Sequence, residues 1–203
     1  MLLELPFWVR SLTAATLLMA FAGLDFLRYR ERATRWREYS FWVFCGAAGA
    51  LFAVLNDLLT SRLSKDYFVI GKGLPAVDPA GFTWEVIAFA TRVGLGAGMV
   101  IGGALLIANN PSPPLPSLRY PTLASYLLLP LVAALFAAPL VGTLHSWDVQ
   151  GLGGDLRRTL PEEDVSAFLR VQRIHVGLYA GASVGTVAAV MAIRRRRRHA
   201  LAC

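Results

Sequence analysis

The sequence predicts an all-α integral membrane protein: a bundle of four transmembrane helices with a fifth at the N-terminus. Of its 203 residues, 56% are hydrophobic and 16% are charged, whereas soluble domains average about 25% charged residues. The stretches 39–56, 93–118 and 176–193 contain no charged residue at all. Because about 20 apolar residues in a helix span a bilayer, these stretches are typical of membrane spans.

Five apolar segments follow one another along the chain. The first, residues 7–27, has only fourteen uncharged residues between Arg10 and Asp25, so it either spans with tilted ends or lies in the membrane interface. The other four cover about 39–59, 84–108, 121–144 and 174–193. Pro130 and Pro139 fall inside the fourth segment, where a membrane bundle tolerates prolines that bend a helix.

The last helix is predicted to begin before the membrane. Thr159 and Glu162 have the spacing of a capping box, and Pro161 lies in the first turn that follows. No proline interrupts residues 162–193. A single helix of that length measures about 50 Å at 1.5 Å per residue, and it would project from the outer face by several turns.

The basic residues assign the two sides of the membrane. If five segments alternate, eleven of the eighteen arginines fall on one side, in the loop 28–38, at Arg119 and in the run 194–198. The positive-inside rule makes this side cytoplasmic. We therefore expect a bacterial inner-membrane protein with a cytoplasmic C-terminus and outer loops 60–84 and 145–173. The same flanks account for the net charge of +7, so no nucleic-acid partner is expected.

This topology divides the chain into three parts. Residues 1–38 form an N-terminal membrane segment with its arginine-rich cytoplasmic loop. Residues 39–198 form the four-helix membrane bundle, and residues 199–203 are a cytoplasmic tail.

Glycines recur at four-residue spacing on the third and fifth segments. They are Gly94, Gly98 and Gly102, and then Gly177, Gly181 and Gly185. Small residues four apart line one helix face and let a second backbone approach closely, as in a glycine zipper. We expect these faces to join helices within the chain; a contact between protomers and a solute path are the alternatives.

A motif lies just after the second segment. Asp57 and Thr60 are followed by the run Ser64-Lys65-Asp66-Tyr67-Phe68. It resembles the Asp-x-x-Thr…Ser-Pro-Glu-Tyr-Phe motif of a family of uncharacterised bacterial multi-pass inner-membrane proteins, with Lys and Asp in place of Pro and Glu. Residues 91–98 and 173–185 resemble that family's next and final helices. The resemblance covers about residues 41–190, and it implies a four-helix membrane fold and no established activity.

The candidate site is a polar cluster predicted near the outer ends of the helices. Its members are Asp57, Asp66, Tyr67, Arg92, His145 and His175. Because a charge buried against lipid without a partner costs several kcal/mol, we expect an Asp57–Arg92 pair, either direct or bridged by water, with Tyr67 closing the cluster. His145 and His175 are also candidate metal ligands, since imidazole and carboxylate groups suit zinc, copper or iron. Interfacial hydrogen bonding is the plainer interpretation.

The chain carries no Ser-His-Asp set at recognisable spacing, no P-loop and no dinucleotide fingerprint. The sequence therefore favours a non-catalytic structural or accessory protein of the lipid bilayer, which assembles with itself or with a larger membrane complex. The alternative is an outer-face protein that binds or transports a metal or small solute through His145, His175, Asp57 and Asp66; an enzyme ranks third. No cofactor is expected apart from such a transition metal.

Overall fold

The computed structural model describes residues 6–110, 115–144, 148 and 151–200. Within these ranges most residues are helical and no β-strand is present, which confirms the predicted all-α bundle. The helices are α1 (Phe7–Tyr29), α2 (Arg35–Leu63), α3 (Pro79–Asn109), α4 (Tyr120–Ser125), α5 (Leu128–Gly142), α6 (Gly153–Leu156) and α7 (Glu162–His199), with a 3-10 turn at Arg30–Arg32 and a π-helical turn at Tyr67–Gly71.

Five helical segments of the described chain are long and apolar enough to cross a membrane. They are Val9–Tyr29, Arg35–Leu63, Pro79–Asn109, Tyr120–Gly142 and Glu162–His199. The N-terminal segment is therefore long enough to span by itself. It lies at the edge of the bundle, and the Asp25 carboxylate near its end accepts hydrogen bonds of 3.0 Å from the backbone amides of Thr34 and Arg35. These bonds tie α1 to the start of α2.

The α2–α3 pair is packed backbone to backbone through glycines. A Cβ placed on Gly94 would lie 2.5 Å from the carbonyl oxygen of Gly49, and one on Gly98 would collide with the carbonyl of Cys45. Gly102 faces the Cys45 side chain in the same way. No larger residue fits this face without separating the two helices, which is how small residues permit close association in lipid.

The α5–α7 pair is also packed backbone to backbone through glycines. A Cβ on Gly177 would lie 2.5 Å from the carbonyl oxygen of Ala137, and one on Gly185 would lie 2.5 Å from the Cα atom of Pro130. Gly181 lies against Ala133. Both glycine faces thus join helices of one chain, and α3 also contacts α7, which brings the two pairs together.

The core has three apolar layers along the bundle. At the end that carries residues 64–78, here called the loop end, Phe68, Val86 and Phe168 are buried. The middle layer contains Ala134, Ala138 and Leu178. At the opposite end, called the arginine end because it carries residues 28–38 and 194–198, the buried residues are Phe41, Cys45, Leu105, Ala108, Leu123, Leu127, Ala189 and Ile193.

Helix α7 begins at Glu162, but the predicted capping box is wrong. The N-cap residue is Pro161, without a side-chain cap. Because the helix starts at Glu162 rather than at residue 160, Thr159 lies outside its first turn and donates its hydroxyl to the Leu156 carbonyl. Glu162 instead pairs with Arg157 at 3.0 Å. The helix continues past the predicted residue 193 to His199, and its 38 residues measure about 57 Å.

The glycine contacts can be tested by adding one methyl group at each of two positions on α3. Gly98→Ala should destabilise the protein by roughly 1–3 kcal/mol, because the new Cβ meets the α2 backbone. Gly96, two residues away, has open space where a Cβ would lie, with no atom within 4 Å, so Gly96→Ala should be neutral or stabilising by up to about 1 kcal/mol. Reversible unfolding in mixed detergent micelles measures both, and equal effects would contradict the packing.

Candidate functional site

A carboxyl–imidazole contact is buried between α2 and α7 near the loop end. His175 Nε2 lies 3.1 Å from Asp57 Oδ1, and the two side chains are 5% and 8% exposed. A buried ionisable group is strongly destabilising unless a partner offsets its lost hydration. The two residues supply that partner to each other, and the contact fastens α2 of the first helix pair to α7 of the second.

The hydrogen bond of the other imidazole nitrogen limits the possible protonation states of the Asp57–His175 contact. His175 Nδ1 lies 2.9 Å from the carbonyl oxygen of Val171, and because a carbonyl only accepts, Nδ1 carries a hydrogen. Nε2 therefore either donates to the Asp57 carboxylate as part of an imidazolium or accepts a hydrogen from the neutral Asp57 carboxyl group. In both arrangements one proton lies between Nε2 and Oδ1.

Polar neighbours on α2 complete the surroundings of Asp57. The Asn56 amide donates to Asp57 Oδ1 at 2.9 Å. The buried Thr60 hydroxyl donates to the Asn56 carbonyl at 3.0 Å. One turn later, the Ser64 hydroxyl accepts from the backbone amide of Tyr67 and so positions the turn that covers the pair.

Aromatic rings form a roof over His175. The Tyr67 ring lies 4.8 Å from the imidazole at an interplanar angle of 33°, and Phe68 approaches its edge at 5.9 Å. Phe168 packs edge-on against Tyr67 at 5.3 Å. Tyr67 and Phe68 begin the π-helical turn, a conformation that is frequent at functional sites. The roof shields the Asp57–His175 contact from solvent.

Burial shifts the pKa values of two side chains at the roof, Tyr67 and its neighbour Lys72. Burial raises the pKa of the Tyr67 hydroxyl, and Tyr179 and Asp57 add to the shift, so Tyr67 is neutral. The ammonium group of Lys72 lies 5.2 Å from the centre of the Tyr67 ring. Burial lowers the pKa of Lys72, and the nearby Asp57 carboxylate acts in the opposite direction. Lys72 therefore places a basic group over the Tyr67 ring.

The structure brings together Asp57, Tyr67 and His175, but not Arg92. The predicted Asp57–Arg92 pair is wrong, because Arg92 is exposed and its Nε donates to the Ala88 carbonyl of its own helix. Arg92 precedes Gly94 by two residues, or about 200° around a helix. It therefore lies opposite the glycine face that meets α2.

The remaining predicted site residues are only partly described. Asp66 is half-buried beside the roof, and His145 lies outside the described residues. Across those parts of the chain that the structure covers, no three His, Cys, Asp or Glu side chains form a group that could hold a metal ion. The predicted metal site at His145 and His175 stays a prediction.

A buried arginine at the other end of α7 was missed by sequence reasoning. Arg197 is 3% exposed, and its guanidinium donates four hydrogen bonds of 2.6–3.0 Å to carbonyl oxygens. The acceptors are Ala108, Asn110, Leu115 and Pro116. Arg197 therefore binds the unsatisfied carbonyls at the end of α3 together with the linker that follows.

The sequence did carry a signal for Arg197. The four-residue series of the α7 glycine face continues through Ala189 and Ile193 to position 197, so this arginine of the run shares the buried face. Asn109 reinforces the same region, since its amide donates to the Leu118 carbonyl and its oxygen accepts from the Leu118 amide.

Comparison with protein-family models, with curated proteins and with solved structures yields no significant match. The resemblance carried by residues 57–68, 91–98 and 173–185 therefore stays a prediction.

The Asp57–His175 contact can be tested with a double-mutant cycle. Asp57→Ala and His175→Ala should each lower the free energy of unfolding by roughly 3 kcal/mol, because each leaves a buried polar partner. The double variant should lose less than the sum of the two. Arg92→Ala is the control and should cost little. Reversible unfolding in mixed micelles measures the free energy of unfolding of these four variants. Additive losses in the double variant, or a large loss from Arg92→Ala, would contradict the pairing.

Proposed function

We propose that the protein is a non-catalytic structural or accessory membrane protein that assembles with itself or with a larger membrane complex through α1. The observation that carries this proposal is the contrast between α1 and the other spans. In the apolar window of α1, 6% of the residues are buried, against 22–28% in the other four. A helix that adds so little to the core is available to a partner.

The surface of α1 suits contact with another apolar helix. Leu12, Met19 and Leu24 are exposed, and a Cβ on Gly23 would meet no atom within 4 Å. The hydroxyls of Thr13 and Thr16 donate to carbonyls of their own helix. A partner can therefore cover this helix without leaving a hydroxyl group unsatisfied.

The way the bundle uses its polar groups supports a structural role over transport. Asp57 and His175 contact each other at the loop end, and Arg197 binds carbonyls at the arginine end. Between them lies the apolar middle layer of Ala134, Ala138 and Leu178. Buried polar side chains at membrane depth mark solute paths, whereas among the described residues of α7 no polar side chain is buried between His175 and Arg197.

The same proposal includes an inner-membrane location with the C-terminus in the cytoplasm. It is supported by the arginines of 28–37 and 194–198, which share one end of the bundle. The second candidate, an outer-face site for a metal or small solute, is favoured by the contact of Asp57 with His175, two of its four predicted residues.

Single cysteines on α1 test the assembly. In a Cys203→Ser background, Leu12→Cys, Met19→Cys and Leu24→Cys, each labelled with a thiol-reactive photo-cross-linker, should give cross-links to a second chain or partner in native membranes. Val100→Cys, Ile107→Cys and Val184→Cys are matched controls on exposed faces of α3 and α7, and they should give few.

Cross-links that are equally frequent on all three helices would contradict a role for α1. A non-cross-linking monomer of 22.1 kDa, purified in mild detergent with a stoichiometric metal that His175→Ala removes, would favour the second candidate instead.

A further inference from the structure

The arginine end contains an open groove. The first turns of α2, the last turn of α3, the linker residues 117–119 and the start of α4 surround a volume of about 1050 Å³. It lies on the opposite end of the bundle from the Asp57–His175 contact, so it has no part in that site.

The rim of the groove is basic. Arg35, Arg37 and Arg119 line it, and Glu38 is the one acidic residue among the described residues of its lining. Glu38 is engaged with Arg35 at 2.9 Å. Arg37 and Arg119 have no carboxylate partner among the residues described, and the Arg37 guanidinium lies 5.3 Å from the centre of the Trp36 ring. Two guanidinium groups are thus left to bind an anion.

Below this rim the groove is apolar and continues onto the membrane-facing surface. Phe44 on α2 and Ile107 on α3 line it and are exposed. Both belong to helices apolar enough to span a membrane, so hydrocarbon chains would lie against them. A basic rim directly above an apolar wall matches the anionic head and acyl chains of one lipid molecule.

The linker wall of the groove is held in place by buried side chains. Arg197 binds the carbonyls of Leu115 and Pro116, and Asn109 forms two hydrogen bonds with Leu118. Arg119 follows directly. These bonds fix the position of the linker relative to α3, so the groove is formed before any ligand enters.

We propose that this groove is a binding site for an anionic phospholipid. Arg37 and Arg119 bind the phosphate group, Trp36 and Tyr120 flank the glycerol region, and the acyl chains follow Phe44 and Ile107. The site differs from the exposed Arg194, Arg195, Arg196 and Arg198, which attract anionic lipid without enclosing it. It is independent of the role proposed for α1.

Native mass spectrometry of the purified protein in mild detergent tests the site, with phosphatidylglycerol and phosphatidylcholine as probes. The wild type should retain phosphatidylglycerol in preference to phosphatidylcholine. The double variant Arg37→Gln/Arg119→Gln should bind phosphatidylglycerol about tenfold more weakly, as two cations near the headgroup are removed. Arg195→Gln/Arg198→Gln removes the same charge from exposed α7 positions and should change binding less than about twofold.

Several outcomes would overturn the proposal. Equal losses from the two double variants would mean diffuse attraction by the basic end, and equal retention of both lipids would mean apolar contact alone. Displacement of the lipid by millimolar inorganic phosphate would mean a site for a free anion. Should the groove variant fail to fold, a photoactivatable phosphatidylglycerol added to the wild type decides: adducts should concentrate near Phe44 and Ile107, and a uniform distribution would refute the site.

Discussion

Hydrocarbon offers no hydrogen-bond partner, so a polar group buried in a membrane bundle has to find its partner inside the protein. This constraint explains both ends of α7. Near the loop end, His175 meets Asp57 of α2, and at the arginine end Arg197 binds the carbonyls that the end of α3 leaves open. The two contacts fasten one long helix to both members of the α2–α3 pair.

Glycine packing holds each helix pair together, and polar contacts join the two pairs. Within each pair, glycine faces bring two backbones close enough for dispersion to join them without a hydrophobic driving force. Between the pairs such close backbone contact is not needed, because a directional contact fixes the relative rotation of the helices. The aromatic roof over His175 then keeps water from Asp57, which strengthens that contact.

The sequence predicts the features that depend on one helix at a time. Uncharged stretches indicate the spans and four-residue glycine spacing indicates the packing faces, whereas the capping box predicts the start of α7 two residues too early. Features that depend on how one helix is rotated relative to another are harder to predict from the sequence. Arg92 and Asp57 are predicted to lie at similar depth in the membrane, and depth alone therefore suggests that they pair. The angle around α3 between Arg92 and Gly94, however, places Arg92 on the exposed face. Composition alone groups Arg197 with the solvated arginine run, although its register with Gly185 places it on the buried one. Depth along a span follows from composition, whereas partner choice follows from the helix face.

The central claim is that Asp57 faces His175 on α7 and not Arg92 on α3. The most direct measurement is intramolecular cross-linking by a short bifunctional thiol reagent in a Cys203→Ser background, with Cys45 left buried. The pair Asp57→Cys/His175→Cys should be joined within one chain, visible as a mass shift of the protein and as a linked α2–α7 peptide. The pair Asp57→Cys/Arg92→Cys should remain unlinked. The reverse result, a linked α2–α3 peptide and no link between α2 and α7, would contradict this account of the bundle.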